Sequence, residues 1–175
     1  MRVLVAYATK HGATEGIAAR IGDALSRAGH DAEVRDAGDV ADLTSYDAFV
    51  LGSAAYVGHW RKKAIAVAHR LEQDRGDRPI WLFSSGPLGD DPTDEQGRDK
   101  RDTAEPRELP ELVAALQPRD HRVFFGALDP ASLTLPEKAM RTLPAGKALL
   151  PEGDFRDWDD VDEWVAGIAA DLASQ

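Results

Sequence analysis

Short apolar runs alternate with segments of helical periodicity along the chain. Near-continuous apolar runs are typical of buried parallel strands, and one shorter, more polar run predicts a strand nearer an edge. The five predicted strands cover residues 2–8, 32–35, 46–52, 78–85 and 122–127. Apolar residues at helical spacing predict helices between these strands and a final helix that Asp157 caps. A small helix is predicted over residues 134–143, and residues 147–154 are expected to be irregular.

Strands that alternate with helices indicate an α/β fold with a mostly parallel sheet covered on both faces. Five strands in this sequence fit a doubly wound arrangement with strand order 2-1-3-4-5, whose ligand crevice lies beyond the carboxyl ends of strands one and three. We expect one domain over residues 1–175, because no linker or internal repeat divides the chain. Residues 90–107 are rich in charge, Gly and Pro, and they predict an exposed acidic insertion.

Composition narrows the function classes. The chain has no cysteine, which excludes disulfides, thiolate metal sites and a redox dithiol. Its formal net charge of −10 disfavours nucleic acid and anionic membranes as main partners. No apolar run is long enough for a transmembrane segment, so we expect a cytoplasmic location. Clustered histidines and an H-E-x-x-H motif are absent, and no metal site is predicted.

The segments that follow predicted strands one, three and four are rich in Gly, Ser, Thr and aromatic residues. They comprise residues 9–14, 53–60 and 84–89, here called the first, second and third loops. The parallel topology would bring all three to one sheet edge, and the first opens a helix, whose N-terminus attracts phosphate. The chain lacks the nucleotide-hydrolysing P-loop pattern G-x-x-x-x-G-K-[ST] and the dinucleotide pattern G-x-G-x-x-G.

The first loop, in the context Tyr-Ala-Thr-Lys-His-Gly-Ala-Thr, resembles the FMN-phosphate loop of flavodoxins, whose pattern is Thr/Ser-x-x-Gly-x-Thr. Residues 51–60 and 83–89 look like the second and third flavin loops of that family. The resemblance covers almost the whole chain and implies a flavodoxin-like fold with FMN as cofactor. Within flavodoxins, the spacing and residues 153–158 are most similar to the group that includes menaquinone-dependent protoporphyrinogen oxidase.

The resemblance implies a role for each loop. The hydroxyls of Thr9 and Thr14 and the intervening N–H groups would hold the phosphate, and Gly12 would let the backbone approach closely. Tyr56 would stack on the flavin ring, with Trp60 as the second choice. The implied cofactor-binding residues are Thr9, Lys10, His11, Gly12, Ala13, Thr14, Ser53, Ala54, Ala55, Tyr56, Val57, Gly58, Trp60, Ser84, Ser85, Gly86, Pro87, Leu88 and Gly89.

Two functions of different classes stay open. One is an FMN-dependent oxidoreductase or electron-transfer protein, with a redox partner protein or quinone as acceptor and a porphyrinogen as one conceivable substrate. Its chemistry would take place on the flavin, so no catalytic side chain is predicted. The other is a flavodoxin-fold interaction module that has lost FMN, because the third loop lacks the aromatic residue that many flavodoxins stack on the ring.

Overall fold

A computed structural model describes residues 1–174 of the chain. Its centre is a five-stranded parallel sheet with strand order 2-1-3-4-5, which confirms the predicted topology. The strands are β1 (Arg2–Ala8), β2 (Asp31–Asp36), β3 (Ala48–Ala54), β4 (Ile80–Ser85) and β5 (His121–Phe124). The polar strand β2 lies at one edge, as its sequence indicates.

Helices cover both faces of the sheet. Within residues 1–174, the α-helices are α1 (Ala13–Arg27), α2 (Lys62–Asp74), α3 (Lys100–Thr103), α4 (Leu109–Leu116), α5 (Leu135–Met140), α6 (Pro144–Leu149) and α7 (Trp158–Ala173). The apolar stripes of α1 and α7 pack together on one face, and those of α2 and α4 pack on the other. The side chain of Asp157 caps α7, as expected, by accepting from the N–H groups of Asp159 and Asp160.

Alternate residues of the central strands belong to the two halves of the hydrophobic core, which lie on opposite faces of the sheet. Val3 and Val5 of β1 point to the α1/α7 side, whereas Leu4 and Ala6 point to the α2/α4 side. Successive side chains of a strand point to opposite faces, so a strand buried on both faces is apolar throughout. This burial explains why the central strands are recognisable in the sequence as continuous apolar runs.

Gly52 is the one small residue in the middle of β3. It pairs with Tyr7 on one side and with Phe83 on the other. A Cβ atom at this position would lie 2.0 Å from the Phe83 ring, which is fully buried. The aromatic packing of Phe83 with Phe124 and Trp164 therefore requires glycine at position 52.

The predicted end of the fifth strand and the expected irregular segment at residues 147–154 are both wrong. The fifth strand ends at Phe124 rather than Ala127, because the Gly126 N–H leaves the ladder and donates to the Pro87 carbonyl. Ala127 and Leu128 form a separate strand, β6, which pairs antiparallel with β7 (Gly153–Asp154). Residues 147–154 are consequently not irregular, since they contain the end of α6 and β7.

Residues 129–152, here called the strap, connect β6 with β7 and contain α5 and α6. Helix α5 begins after Thr134, as predicted, but it ends at Met140. Residues 90–107 form a largely exposed excursion that contains α3 and a short bridge between Thr93 and Asp99. Both segments return to the same end of the sheet, where the three loops lie.

Candidate functional site

The three loops meet at the carboxyl edge of the sheet and enclose a cavity of about 80 Å³. Binding pockets for drug-sized molecules are typically several hundred cubic ångströms, so this cavity is a narrow cleft. The cavity is lined by Thr9, Lys10, His11, Ala13, Thr14, Ala54, Ala55, Tyr56, Ser85, Gly86, Leu88, Gly126, Ala127, Leu128 and Leu150.

The first loop is preformed at the N-terminus of α1. The Gly12 N–H donates to Thr9 Oγ1 over 2.9 Å, and Gly12 takes a left-handed conformation with φ of +88°. A glycine tolerates this conformation because it has no Cβ atom. The first N–H groups of a helix have no partner within the helix, so the loop presents donors and a partial positive charge to the cleft.

Thr14 adds a buried hydroxyl to this helix N-terminus. The residue is 0% exposed and lines the cleft, yet its Oγ1 has no hydrogen-bond partner among residues 1–174. A buried hydroxyl without a partner costs free energy, and such groups are rare in folded proteins. The Thr14 hydroxyl is therefore available to a ligand with acceptor atoms.

The second loop makes a two-residue hairpin turn. Tyr56 and His59 exchange both backbone hydrogen bonds, at 2.9 and 3.1 Å, and Val57 and Gly58 between them have φ of +54° and +74°. These angles are typical of a type I′ turn, which is unfavourable for a β-branched residue. Val57 is 77% exposed, so the strained position lies at the outer tip of the turn.

Residues 107 and 108, at the end of the exposed excursion, form hydrogen bonds to this turn. The Arg107 N–H donates to the Gly58 carbonyl over 3.0 Å. Glu108 then accepts from His59 Nδ1 at 2.7 Å and from the Trp60 N–H at 3.2 Å. Burial alone would raise the pKa of Glu108, but these hydrogen bonds outweigh it and lower the pKa.

Tyr56 extends from the same turn to the first loop and the strap. Its hydroxyl donates to Oε1 of Glu137 over 2.9 Å. The same Oε1 accepts a hydrogen bond from Lys10 Nζ, and that ammonium group lies 3.1 Å from the centroid of the Tyr56 ring. Burial would raise the pKa of Glu137, but the hydrogen bonds from Lys10, Thr134 and Tyr56 hold it well below its usual range.

The second and third loops are joined beneath the cleft by three side chains. Trp60 is only 4% exposed, and its Nε1–H donates to Ser84 Oγ over 2.8 Å. Ser84 Oγ lies 2.9 Å from His121 Nε2, so the serine hydroxyl can donate to the neutral ring. Burial lowers the pKa of His121 to about 4, which keeps this ring neutral near pH 7.

A model of the flavodoxin domain family matches residues 4–144, which is most of the chain. The chain belongs to the flavodoxin domain family. FMN is the cofactor of this family. No curated protein matched the sequence.

Solved flavodoxins share the fold across nearly the whole chain. A cysteine-to-serine mutant of flavodoxin from Pseudomonas aeruginosa is 17% identical, with a TM-score of 0.58 and coverage of 97% of both chains. The flavodoxin of Streptococcus pneumoniae TIGR4 is 13% identical, with a TM-score of 0.61, and the match covers 98% of this chain and 99% of that one. Rubredoxin oxygen:oxidoreductase from Desulfovibrio gigas is 10% identical, with a TM-score of 0.64, and the match covers 99% of this chain but only 36% of that one.

The residues at the first loop of this flavodoxin-family chain fit a phosphate group. The orphaned Thr14 hydroxyl, the open helix N-terminus and the left-handed Gly12 all lie on one side of the cleft. A second, larger cavity of about 580 Å³ lies between the third loop and α7, but Asp90, Asp154, Asp157 and Asp159 line it. The cavity is also lined by Arg156, but that guanidinium is already paired with Asp154, and the carboxylates outnumber it. This excess of negative charge disfavours a phosphate dianion there, so the cleft is the better site.

The structure brings together most of the residues that the resemblance implied, but some lie elsewhere. Trp60 is buried in the core beneath the loops rather than at the cleft, because its indole packs with α2 and bonds Ser84. Ser53 and Ser84 are fully buried at the strand ends. The implied residues outside the cavity lining are Gly12, Ser53, Val57, Gly58, Trp60, Ser84, Pro87 and Gly89, the last of which lines the larger cavity.

Sequence reasoning missed the strap's contribution to the site. Glu137 contacts Lys10 and Tyr56, His11 Nδ1 lies 3.2 Å from the Ser132 carbonyl, and Leu150 lines the cleft. The pattern Thr134-x-x-Glu137 indicates a capping box, and Glu137 Oε2 does accept from the N–H and Oγ1 of Thr134. That pattern gives no sign of the partner of the second oxygen.

The described residues contain neither a candidate metal site nor a helix that could span a membrane. Within residues 1–174, no group of three or more His, Cys, Asp or Glu side chains is arranged to hold a metal ion. None of the helices in that range has the length and apolar character needed to cross a bilayer.

Proposed function

We propose that the cleft binds FMN and that the protein is an electron-transfer flavoprotein. The observation that carries the proposal is the fully buried Thr14 hydroxyl at the N-terminus of a fifteen-residue helix, which has no hydrogen-bond partner in the part of the chain that the structure describes. Family membership supports the choice of FMN as the phosphate-bearing ligand. When bound, FMN supplies the redox chemistry, by accepting electrons and passing them on.

The chain's own residues would bind and orient the cofactor. Thr14 Oγ1 and the first N–H groups of α1 would donate to the phosphate, with the Thr9–Gly12 hydrogen bond holding the loop in shape. The ring of Tyr56 would provide the apolar surface for the flavin, and the backbone of residues 84–89 would face its pyrimidine side.

Titration of the purified protein with FMN tests this proposal. Flavin fluorescence should be quenched on binding, and the loaded protein should be yellow. A protein without affinity for FMN would overturn the proposal and favour the alternative, a flavodoxin-fold interaction module.

A second candidate is a quinone-linked protoporphyrinogen oxidase, which the resemblance of residues 153–158 first suggested. The specific observation in its favour is the apolar outer surface of the strap, where Leu135, Leu143 and Leu149 are 83%, 62% and 71% exposed. An apolar surface near the cleft suits an apolar acceptor better than a charged one. A carrier would instead exchange electrons with a redox partner protein.

The two candidates differ in direct turnover. The FMN-loaded protein would be incubated with a porphyrinogen under anaerobic conditions, with and without a menaquinone analogue. Quinone-dependent porphyrin formation would favour the oxidase. Absence of turnover, together with rapid reduction by a flavodoxin reductase, would favour the carrier.

A further inference from the structure

The strap carries one carboxylate that is buried against the cofactor loops. Glu137 is 5% exposed, and its two carboxylate oxygens have different hydrogen-bond partners. Oε2 accepts from the N–H and Oγ1 of Thr134, at 2.9 and 2.8 Å, and thereby fixes the start of α5. Oε1 accepts from Tyr56 and Lys10 and thereby ties the strap to the second and first loops.

These contacts put a charge where a flavin ring would need apolar surface. The Lys10 ammonium lies over one face of the Tyr56 ring, 3.1 Å from its centroid, and Glu137 holds it there. The cleft measures only about 80 Å³ with the strap in this position. A three-ring flavin with a ribityl phosphate needs a site of several hundred cubic ångströms.

We propose that Glu137 is a positioning residue that latches the strap over the cofactor cleft, and that FMN enters only after its contacts with Lys10 and Tyr56 break. The proposal rests on the proposed function, since it concerns entry of FMN into the same cleft. Opening breaks the two hydrogen bonds that Lys10 and Tyr56 donate to Glu137 Oε1, and hydrogen bonds to a charged group are stronger than those between neutral groups. The opening step therefore limits the rate at which the cofactor enters.

Two variants weaken the latch from opposite sides. Glu137→Gln keeps the shape of the side chain and removes the charge that holds Lys10. Tyr56→Phe keeps the ring and removes only the hydroxyl that donates a hydrogen bond to Glu137. Glu152→Gln is the matched control, because Glu152 belongs to the strap but its side chain is 67% exposed and lies 3.6 Å from Arg141, away from the loops.

Two measurements on the folded proteins report on the latch. The first is the FMN association rate, followed by stopped-flow quenching of flavin fluorescence. Loss of a hydrogen bond to a charged group should accelerate association on the order of tenfold in Glu137→Gln and less in Tyr56→Phe. The second is amide hydrogen exchange of the cofactor-free protein, which should rise in peptides covering 129–152 in both variants and stay unchanged in Glu152→Gln.

The double variant separates a shared latch from two unrelated effects. Because both substitutions act on the same contact at Glu137 Oε1, their effects on the association rate should be less than additive in the double variant. Association that is unchanged or slower in both single variants, with normal exchange of the strap, would overturn the proposal. If FMN binds to none of the proteins but strap exchange still rises, the proposed function and the control of FMN entry both fail, and only the attachment of the strap by Glu137 is supported.

Discussion

Replacing Thr14 by Val should affect the free protein and its complex in opposite directions. Valine has nearly the same shape as threonine, with a methyl group in place of the hydroxyl. Thr14 is 0% exposed, and its Oγ1 has no partner within the described part of the chain. The substitution therefore removes an unsatisfied buried group without opening a cavity.

The size of both effects follows from this geometry. Burying a hydroxyl without a partner costs about 1–3 kcal/mol in proteins, so the FMN-free variant should be as stable as the parent or more stable, by at most about that amount. A hydrogen bond to a charged acceptor such as phosphate contributes about 1.5–3 kcal/mol. Its loss should weaken FMN binding roughly tenfold to a hundredfold.

Thr9→Val provides the comparison, because Thr9 Oγ1 already accepts from the Gly12 N–H in the free protein. This variant should lose about 1 kcal/mol of stability before any cofactor is added. Urea unfolding of the FMN-free proteins gives the stabilities, and fluorescence titration gives the dissociation constants. The reasoning would be refuted if Thr14→Val lost stability like Thr9→Val while its FMN affinity stayed at the parent value.

Three further changes test the fold around the site. Burial lowers the pKa of His121 to about 4, so the histidine of the unfolded chain is protonated at a higher pH than that of the folded protein. The free energy of unfolding should therefore drop by up to about 3 kcal/mol between pH 6.5 and 4. His121→Gln should remove that part of the pH dependence, as measured by urea titrations. Gly52→Ala should cost at least about 1–3 kcal/mol, measured by thermal unfolding, because its Cβ would overlap the Phe83 ring; a neutral result would contradict the packing described. Asp157→Ala should cost about 1 kcal/mol and Asp157→Asn much less, since asparagine also caps helices; equal losses would argue against the cap.

The sheet and the convergence of the loops could be predicted from the sequence for a physical reason. Strands buried on both faces must be apolar throughout, and the alternation of strands with helices allows few topologies. Once the order of the strands is known, the segments after β1, β3 and β4 must meet at one edge. Local rules also placed the start of α5 at Thr134 and the cap of α7 at Asp157.

Contacts between distant segments could not be predicted in this way. Glu137 lies 127 positions from Lys10 and 81 from Tyr56, and no local pattern determines where its second oxygen points. Trp60 has an apolar body and one polar atom, so it suits a cofactor face and a core position equally well. Its orientation depends on Ser84, which reaches it only through the pairing of β3 with β4.

The attachment of Arg107 and Glu108 to the second loop limits how the protein can be redesigned. The backbone of Arg107 and the carboxylate of Glu108 anchor the tip and the far end of the hairpin turn, at Gly58, His59 and Trp60. Shortening the preceding excursion, or grafting the turn alone onto a related scaffold, would detach these anchors from a turn that already contains an unfavourable valine conformation. Chimaeras should therefore exchange residues 53–60 and 90–108 as one unit.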